Sequence, residues 1–337
     1  MAIPLVSIIM PVYNGAHYLN DAIDSILHQT FIDFELVIIN DGSTDKSESI
    51  VLSYEDERIR YLKNECNKGI CFTLNRGVSI AQGKYVARMD CDDISNIRRL
   101  EKQVCFLENN MSVGIVGCDL EIFGDGIEKK RYFHFVHTSE DCKAGLLFAT
   151  CFAHPAVMFR RSIVAQHKLY YDEEYRGLED FELWWRMADY CDFANLPEAL
   201  LYYRIHGRQI TQNITEKVSM KSKAFMRKRL TAYCSFNENE FKLFDAYCSN
   251  DWKCFDNDNM PILFNLLKKI NNSSITNKTC AYKKSMRKTL GKVIANVAQN
   301  AKKVTIPKAI IYIKAYMFGM MPFVWFAKYM SYNFLRK

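Results

Sequence analysis

Short apolar runs alternating with helix-spaced apolar positions organise the first hundred residues. Val6-Ser7-Ile8-Ile9-Met10 is almost continuously apolar and closes at Pro11, the pattern of a strand covered on both faces. After Val12-Tyr13-Asn14-Gly15, the residues Leu19, Ile23, Ile26 and Leu27 fall on one helical face. Phe34 to Ile39 is a second buried strand, ending in Asn40-Asp41-Gly42-Ser43-Thr44-Asp45, where Ser43 or Thr44 suits a helix cap. A weaker strand from Ile59 to Leu62 precedes Asn64-Glu65-Cys66-Asn67-Lys68-Gly69, and the spacing predicts a helix over 70–81. Tyr85 to Met89 then stops at Asp90-Cys91-Asp92-Asp93.

Strands alternating with helices at this spacing imply βαβ units, a parallel sheet and an α/β fold. Each polar cluster, at Tyr13-Asn14, Asp41, Asn67 and Asp90-Asp92, falls just past the carboxyl end of a strand, the edge at which open α/β sheets bind ligands. Carboxylates as close as Asp90 and Asp92 repel each other unless a cation sits between them, and a hard divalent ion with phosphate ligands fits. The same residues also suit an acidic turn before a helix near Ile97. No Gly-rich dinucleotide or Walker-type loop is present, which disfavours a dehydrogenase or a P-loop nucleotidase.

Taken in order, Val6 to Asn14, Asn40 to Asp45 and Met89 to Asp93 closely resemble glycosyltransferase family 2, over roughly residues 4–210. The resemblance implies the GT-A fold, a mixed sheet flanked by helices, and an inverting transferase that uses a nucleotide-diphospho-sugar, most often a UDP-sugar, with Mn²⁺ or Mg²⁺. It implies that Pro11, Tyr13 and Asp41, with Asn14, contact the nucleoside side of the donor, that Asn67 and Arg88 lie near the nucleotide, that Asp90 faces ribose or metal, and that Asp92 ligates the metal.

Further along, Val113 to Gly117 and Leu120 to Phe123, followed by the turn signal Gly124-Asp125-Gly126, read as strands of an antiparallel extension. His154, before Pro155, falls in a segment that lines the acceptor side in the resembled family; a half-buried loop histidine is the alternative. Leu183, Trp184 and Met187 can pack one face of a helix and so place Glu179 and Asp180 at its amino-terminal end. Matched to the family's Glu-Asp motif, Asp180 is the base and Glu179 its helper; plain helix capping explains the same acids. Tyr202-Tyr203-Arg204-Ile205-His206 resembles the segment closing the family's catalytic domain, with Arg204 facing the diphosphate and His206 as a further metal ligand, a set that favours Mn²⁺. A surface histidine in a basic loop is the competing reading.

The net charge of +7 belongs to the carboxyl-terminal part: the fifteen Lys and Arg after Asp258 face no carboxylate, leaving the rest of the chain acidic. The pattern turns helical and polar from about Ile214, Asn271 to Asn277 reads as a linker, Tyr282 to Lys303 is a basic helix, and Ile310 to Ala327 is apolar with a single Lys314. These divide the chain into a catalytic domain over 1–212, a helical extension over 213–270 and a basic, membrane-associating tail over 271–337, suited to an anionic surface more than to a bilayer span. The alternative is a buried terminal helix with solvated lysines. Aromatics are absent among the lysines, which disfavours nucleic acid. Met1-Ala2-Ile3-Pro4 shows neither a basic leader nor a cleavage site, and the twelve Cys lack metal or disulfide spacing, so reduced thiols in the cytoplasm are expected. The reading is a transferase at the inner face of the cell membrane that moves a sugar from a UDP-sugar to a glycan or lipid-linked acceptor. A metal-dependent nucleotidyltransferase and a non-catalytic relative are the alternatives.

Overall fold

The computed structural model describes residues 3–207, 216–273 and 279–301. They form two compact units: one holds the described residues up to Ser139 and from Thr150 to Val218, the other Glu140–Ala149 and the described residues from Ser219 onward.

In the first unit β1 (Val6–Val12), α1 (Leu19–Leu27), β2 (Phe34–Asn40), α2 (Ser47–Leu52), β3 (Ile59–Lys63), α3 (Ile70–Ile80) and β4 (Tyr85–Arg88) alternate as the hydrophobic pattern predicts. β3, β2, β1 and β4 are parallel neighbours in that order. Alternation within β1 decides what covers it. Val6, Ile8 and Met10 join α1, α2 and the later α4 in one apolar cluster. Ile9 faces the other way, where a Cβ on Gly77 of α3 would meet its Cγ2 at 2.4 Å. Glycine therefore lets α3 lie close against the sheet. Pro11 pairs with Ile39 across β2, while the pairing of β1 with β4 ends at Ile9 and Arg88. The amide that proline lacks thus falls where β4 has already ended.

The sheet continues with β5 (Ile94–Ser95), then α4 (Arg99–Asn109), β6 (Val113–Gly124), β7 (Arg131–Phe133), α5 (Ser139–Gly145), β8 (Met158–Arg160), α6 (Arg161–His167), α7 (Glu179–Met187) and β9 (Asp192–Ile205). The full order is β3-β2-β1-β4-β8-β6-β9-β5, with β7 on β6. Two local expectations change. Val113 to Gly117 and Leu120 to Phe123 are one strand, β6, whose register against β9 shifts around Cys118 and Asp119. Such an irregularity absorbs the polar Asp119 without ending the strand. β6 is antiparallel to β7 and β8 but parallel to β9. The helix expected near Ile97 starts at Arg99, because Ile94 and Ser95 pair with β9 first.

The second unit contains α8 (Glu216–Thr231, whose first residues belong to the first unit), α9 (Glu238–Cys248), α10 (Met260–Ser273) and α11 (Cys280–Asn300). Asn237 and Glu240 close a capping box on α9. Leu230, Phe244, Leu266, Ile270, Leu290 and Ile294 share one buried core. Asn271 to Ser273, expected in a linker, extend α10 instead. The apolar side of the basic helix α11, including Tyr282, Met286, Leu290 and Val297, is occupied by this core, while Lys284 and Arg287 face solvent. That side of α11 is closed to a membrane. Among the described residues no helix is long and apolar enough to cross one. The boundary near residue 212, the rest of the expected linker and the apolar stretch from Ile310 to Ala327 lie outside the described residues.

Candidate active site

Because β1 to β4 run parallel and adjacent, the loops leaving their carboxyl ends meet at one edge. Asn14 takes a left-handed φ of 52°, a conformation asparagine adopts more readily than most residues. Its Oδ1 accepts from the Thr44 amide at 2.9 Å, and its own N–H donates to Ser43 Oγ at 3.0 Å. Asn14 therefore ties the first loop to the second. Tyr13 beside it is 50% exposed. Asp41 is buried and accepts from Asn64 Nδ2 at 2.7 Å and from the amides of Lys68 and Gly69 at 2.9 and 2.8 Å. A Cβ on Gly42 would lie 2.6 to 2.8 Å from the Cys66 and Asn67 backbone. This contact holds the third loop, with Asn67 exposed on it, against the second.

Arg88, the last residue of β4, is 5% exposed and ion-paired with Asp90. Burial opposes its charge, but Asp90 more than compensates and raises its pKa. Oxygens of Asp90, Asp92 and Asp93 gather within 4.8 Å of one another. Burial pushes the pKa of Asp90 up, against Arg88 and with help from Asp92. It pushes the almost fully buried Asp93 further, reinforced by Asp90 and Asp92. Asp93 Oδ1 accepts from the Arg204 amide at 2.9 Å, whereas its buried Oδ2 has no partner. Three crowded carboxylates with an orphaned oxygen form a donor set that fits a hard divalent cation.

The end of β9 closes over this turn. His206 Nε2 lies 2.9 Å from Asp92 Oδ2, and its ring packs on Tyr18 with centroids 4.7 Å apart. Arg204 donates from Nε to the Asp92 carbonyl at 2.7 Å and pairs with Asp21 at 2.9 Å. Its guanidinium, expected to face the diphosphate, is engaged here in holding the acidic turn.

Glu179 and Asp180 are the first two residues of α7, whose Leu183, Trp184 and Met187 are buried as the pattern predicts. Asp180 Oδ1 accepts the Phe181 amide at 2.7 Å. Burial, then the neighbouring Glu179, raise its pKa to about 6, with Arg88 pulling the other way. Glu179 acts likewise on Asp90. Charges separated by ninety residues of chain therefore act on one another, and Arg88 acts on both. His154 Nε2 lies 3.0 Å from the Tyr171 hydroxyl, and burial and Arg88 keep the imidazole neutral.

The Glycosyl transferase family 2 profile matches residues 7–167. The O-antigen biosynthesis glycosyltransferase WbnJ of Escherichia coli is 32% identical to this chain over 67% of it and 90% of its own length. The chain belongs to glycosyl transferase family 2. Its fold is that of TarS from S. aureus, crystallised with UDP-GlcNAc, at a TM-score of 0.56 and 18% identity over 97% of this chain and 91% of the other. The mannosyltransferase PcManGT from Pyrobaculum calidifontis, in complex with GDP-Man and Mn²⁺, matches at 0.52 and 15% over 99% and 88%. This family 2 enzyme is a glycosyltransferase with the GT-A architecture.

Several residues of the candidate site escape a reading of the sequence. Asp93 stands in the acidic run without a distinguishing spacing. Tyr171, the partner of His154, sits in an unpatterned loop. Arg99, fully buried, donates to the carbonyl of Pro155 at 2.7 Å and of Arg88 at 3.3 Å, binding the His154 segment to the end of β4. Burial lowers its pKa to about 10. Its place at the start of an amphipathic helix looks, in sequence, like an ordinary surface position.

Proposed function

We propose that this enzyme transfers a sugar, with inversion, from a UDP-sugar to a glycan acceptor during assembly of a surface polysaccharide. The observation that carries the reading is the gathering of Asp90, Asp92 and Asp93 oxygens within 4.8 Å of one another beside the buried Arg88, whose charge also acts on Asp180 at the start of α7. It supports a donor diphosphate on one side and a base on the other. UDP-GlcNAc in TarS, GDP-Man and Mn²⁺ in PcManGT and the O-antigen role in the name of WbnJ point the same way.

Asp41 and the exposed Tyr13 take the base and ribose, with Pro11, Asn14 and Asn67 shaping that pocket. Asp90, Asp92 and Asp93, with His206, would hold Mn²⁺ or Mg²⁺, which neutralises charge on the departing diphosphate. Asp180 accepts the proton of the acceptor hydroxyl as its oxygen bonds to the anomeric carbon and the bond from that carbon to the diphosphate oxygen breaks. Attack from the side opposite the leaving group inverts the configuration. Glu179 raises the basicity of Asp180, and His154 with Tyr171 borders the acceptor side. Each group then acts at one stated atom.

A lipid-linked acceptor and attachment to the inner face of the membrane are part of the proposal, supported by the basic carboxyl-terminal sequence. Purified enzyme with Mn²⁺ and a panel of UDP-sugars tests the core of it. Release of UDP with sugar passed to an acceptor is expected. Release of sugar 1-phosphate, with the uridylyl group passed on, would identify a nucleotidyltransferase instead.

A further inference from the structure

A row of side chains on the sheet remains outside the chemistry above. Tyr132 of β7, Glu121 of β6 and Tyr202 of β9 lie directly opposite one another in register. They therefore share one face of the sheet. Two residues along, Phe123 and Arg204 pair on that face, with the Arg204 guanidinium 4.6 Å from the Phe123 ring centre. Arg204 is the residue that binds the Asp92 carbonyl, so the row runs into the acidic turn. In the other direction the His134 ring stacks on Tyr132 at 6.4 Å and 17°, with its Nδ1 2.6 Å from Asp119 Oδ2. Positions two apart on a strand are separated by about 7 Å, so the strip extends about 14 Å from Arg204 to His134.

The chemistry of the strip is mixed in a specific way. Tyr132 is 51% exposed, and the side chains of His134 and Lys130 are 71% and 70% exposed. Beneath them Glu121, only 14% exposed, pairs with Lys130 at 3.0 Å, and the Tyr202 hydroxyl accepts from Asn96 Nδ2 at 3.1 Å. Flat aromatic surfaces thus alternate with hydrogen-bonding groups at their edges. A pyranose ring has the matching surfaces: a face of C–H bonds and a rim of hydroxyls that must keep hydrogen-bond partners. Lipid chains would cover the Glu121–Lys130 ion pair and leave it without water.

We propose that this strip binds the sugar residues of the acceptor glycan that precede the one receiving the transfer. The inference rests on the transferase reading and extends it: the enzyme selects acceptors by length as well as by their terminal sugar. Continuity with the acidic turn through Arg204 argues for this occupant.

The test uses the full chain on an array of hexose, N-acetylhexosamine and uronic acid oligomers of increasing length, beside acceptor-free UDP release from UDP-sugars. Wild-type protein should retain some oligomer series better than its own monomer, by roughly tenfold for one stacked ring. Tyr132→Ala should abolish that preference and Tyr132→Trp should restore it, with UDP release unchanged in both. No length preference in the wild type, or an equal preference in Tyr132→Ala, would overturn the proposal. Absent UDP release in the wild type would instead strike at the transferase reading.

Discussion

His206 Nε2 and Asp92 Oδ2 lie 2.9 Å apart although 114 residues separate them in the chain. The contact exists because β9 stays paired with β6 to their common end, Ile205 opposite Gly124, and delivers the next residue onto the acidic turn. His206 is 7% exposed and packed on Tyr18, so its imidazole is held there and does not merely pass by.

Removing either partner should weaken the proposed cation site. Loss of a single directly coordinating or orienting group typically costs metal affinity on the order of tenfold to a hundredfold. Asp92→Asn and His206→Ala should each raise the Mn²⁺ concentration needed for half-maximal UDP binding by at least about tenfold. Calorimetric titration of UDP at several Mn²⁺ concentrations measures this. Unchanged Mn²⁺ dependence in both variants would remove these residues from the proposed metal set.

The proposed base, Asp180, makes a prediction about pH. Asp180 can take a proton only when ionised, and burial beside Glu179 places its pKa at about 6. Transfer should therefore fall tenfold per pH unit below about 6, and Glu179→Gln should move the midpoint to lower pH. Asp180→Asn keeps an oxygen for the Phe181 amide, so it should bind UDP but transfer nothing. The folded state holds this carboxyl above its unfolded value, so ionising it costs stability. That cost is fully present above pH 6 and vanishes below about pH 4. Asp180→Asn should accordingly melt higher than wild type at pH 8 and equally at pH 3.5. A melting temperature lowered at pH 8 would contradict the burial argument.

The residues of these two predictions are legible in the sequence, whereas others of the candidate site are not. The strands and the edge they share were readable because Val6 to Met10, Phe34 to Ile39 and Tyr85 to Met89 are apolar runs bounded by polar loops, and burial on two faces demands such runs. The helix bearing Asp180 was readable from Leu183, Trp184 and Met187 for the same reason. Asp93 and Tyr171 were not, because their importance comes from neighbours distant in sequence, and periodicity reports only local environment. The join of β6 was missed because Asp119 looks like a break until His134 and the Phe135 amide are seen to satisfy it. Basic charge on α11 suggested a membrane face, and its spacing alone could not say that the opposite side was already filled.

Gly42 connects fold to donor affinity. It has a φ of 70°, and an added Cβ would meet backbone atoms of Cys66 and Asn67 that cannot yield as a flexible side chain can. Gly42→Ala should displace the Asn67 loop and lower stability by about 1–3 kcal/mol. UDP affinity should fall with it, while Gly126→Ala, where no atom lies within 4 Å but φ is also positive, carries strain without displacement and should leave UDP affinity intact. Equal UDP affinity in both variants would show that the Gly42 contact does not shape the donor pocket.

The proposed membrane attachment can be divided between two basic segments. Lys284 and Arg287 face solvent on α11, whose opposite side is locked into the second unit's core. Reversing both charges should leave that helix folded. A basic residue near an anionic surface contributes about 1 kcal/mol, so Lys284→Glu with Arg287→Glu should lower binding to phosphatidylglycerol vesicles by about tenfold or more at low salt. Removing the chain after Ala301 takes away a further seven Lys and Arg and the apolar stretch from Ile310 to Ala327. Attachment that combines charge with an apolar segment resists salt, whereas attachment by charge alone is screened within a Debye length of about 10 Å at 0.1 M. Sedimentation with vesicles should therefore survive moderate salt in the full chain and be lost in the shortened one, with circular dichroism confirming that both remain helical. If the shortened chain sediments as well as the full one at every salt concentration, the apolar stretch is not the anchor and the proposal of membrane attachment through it fails.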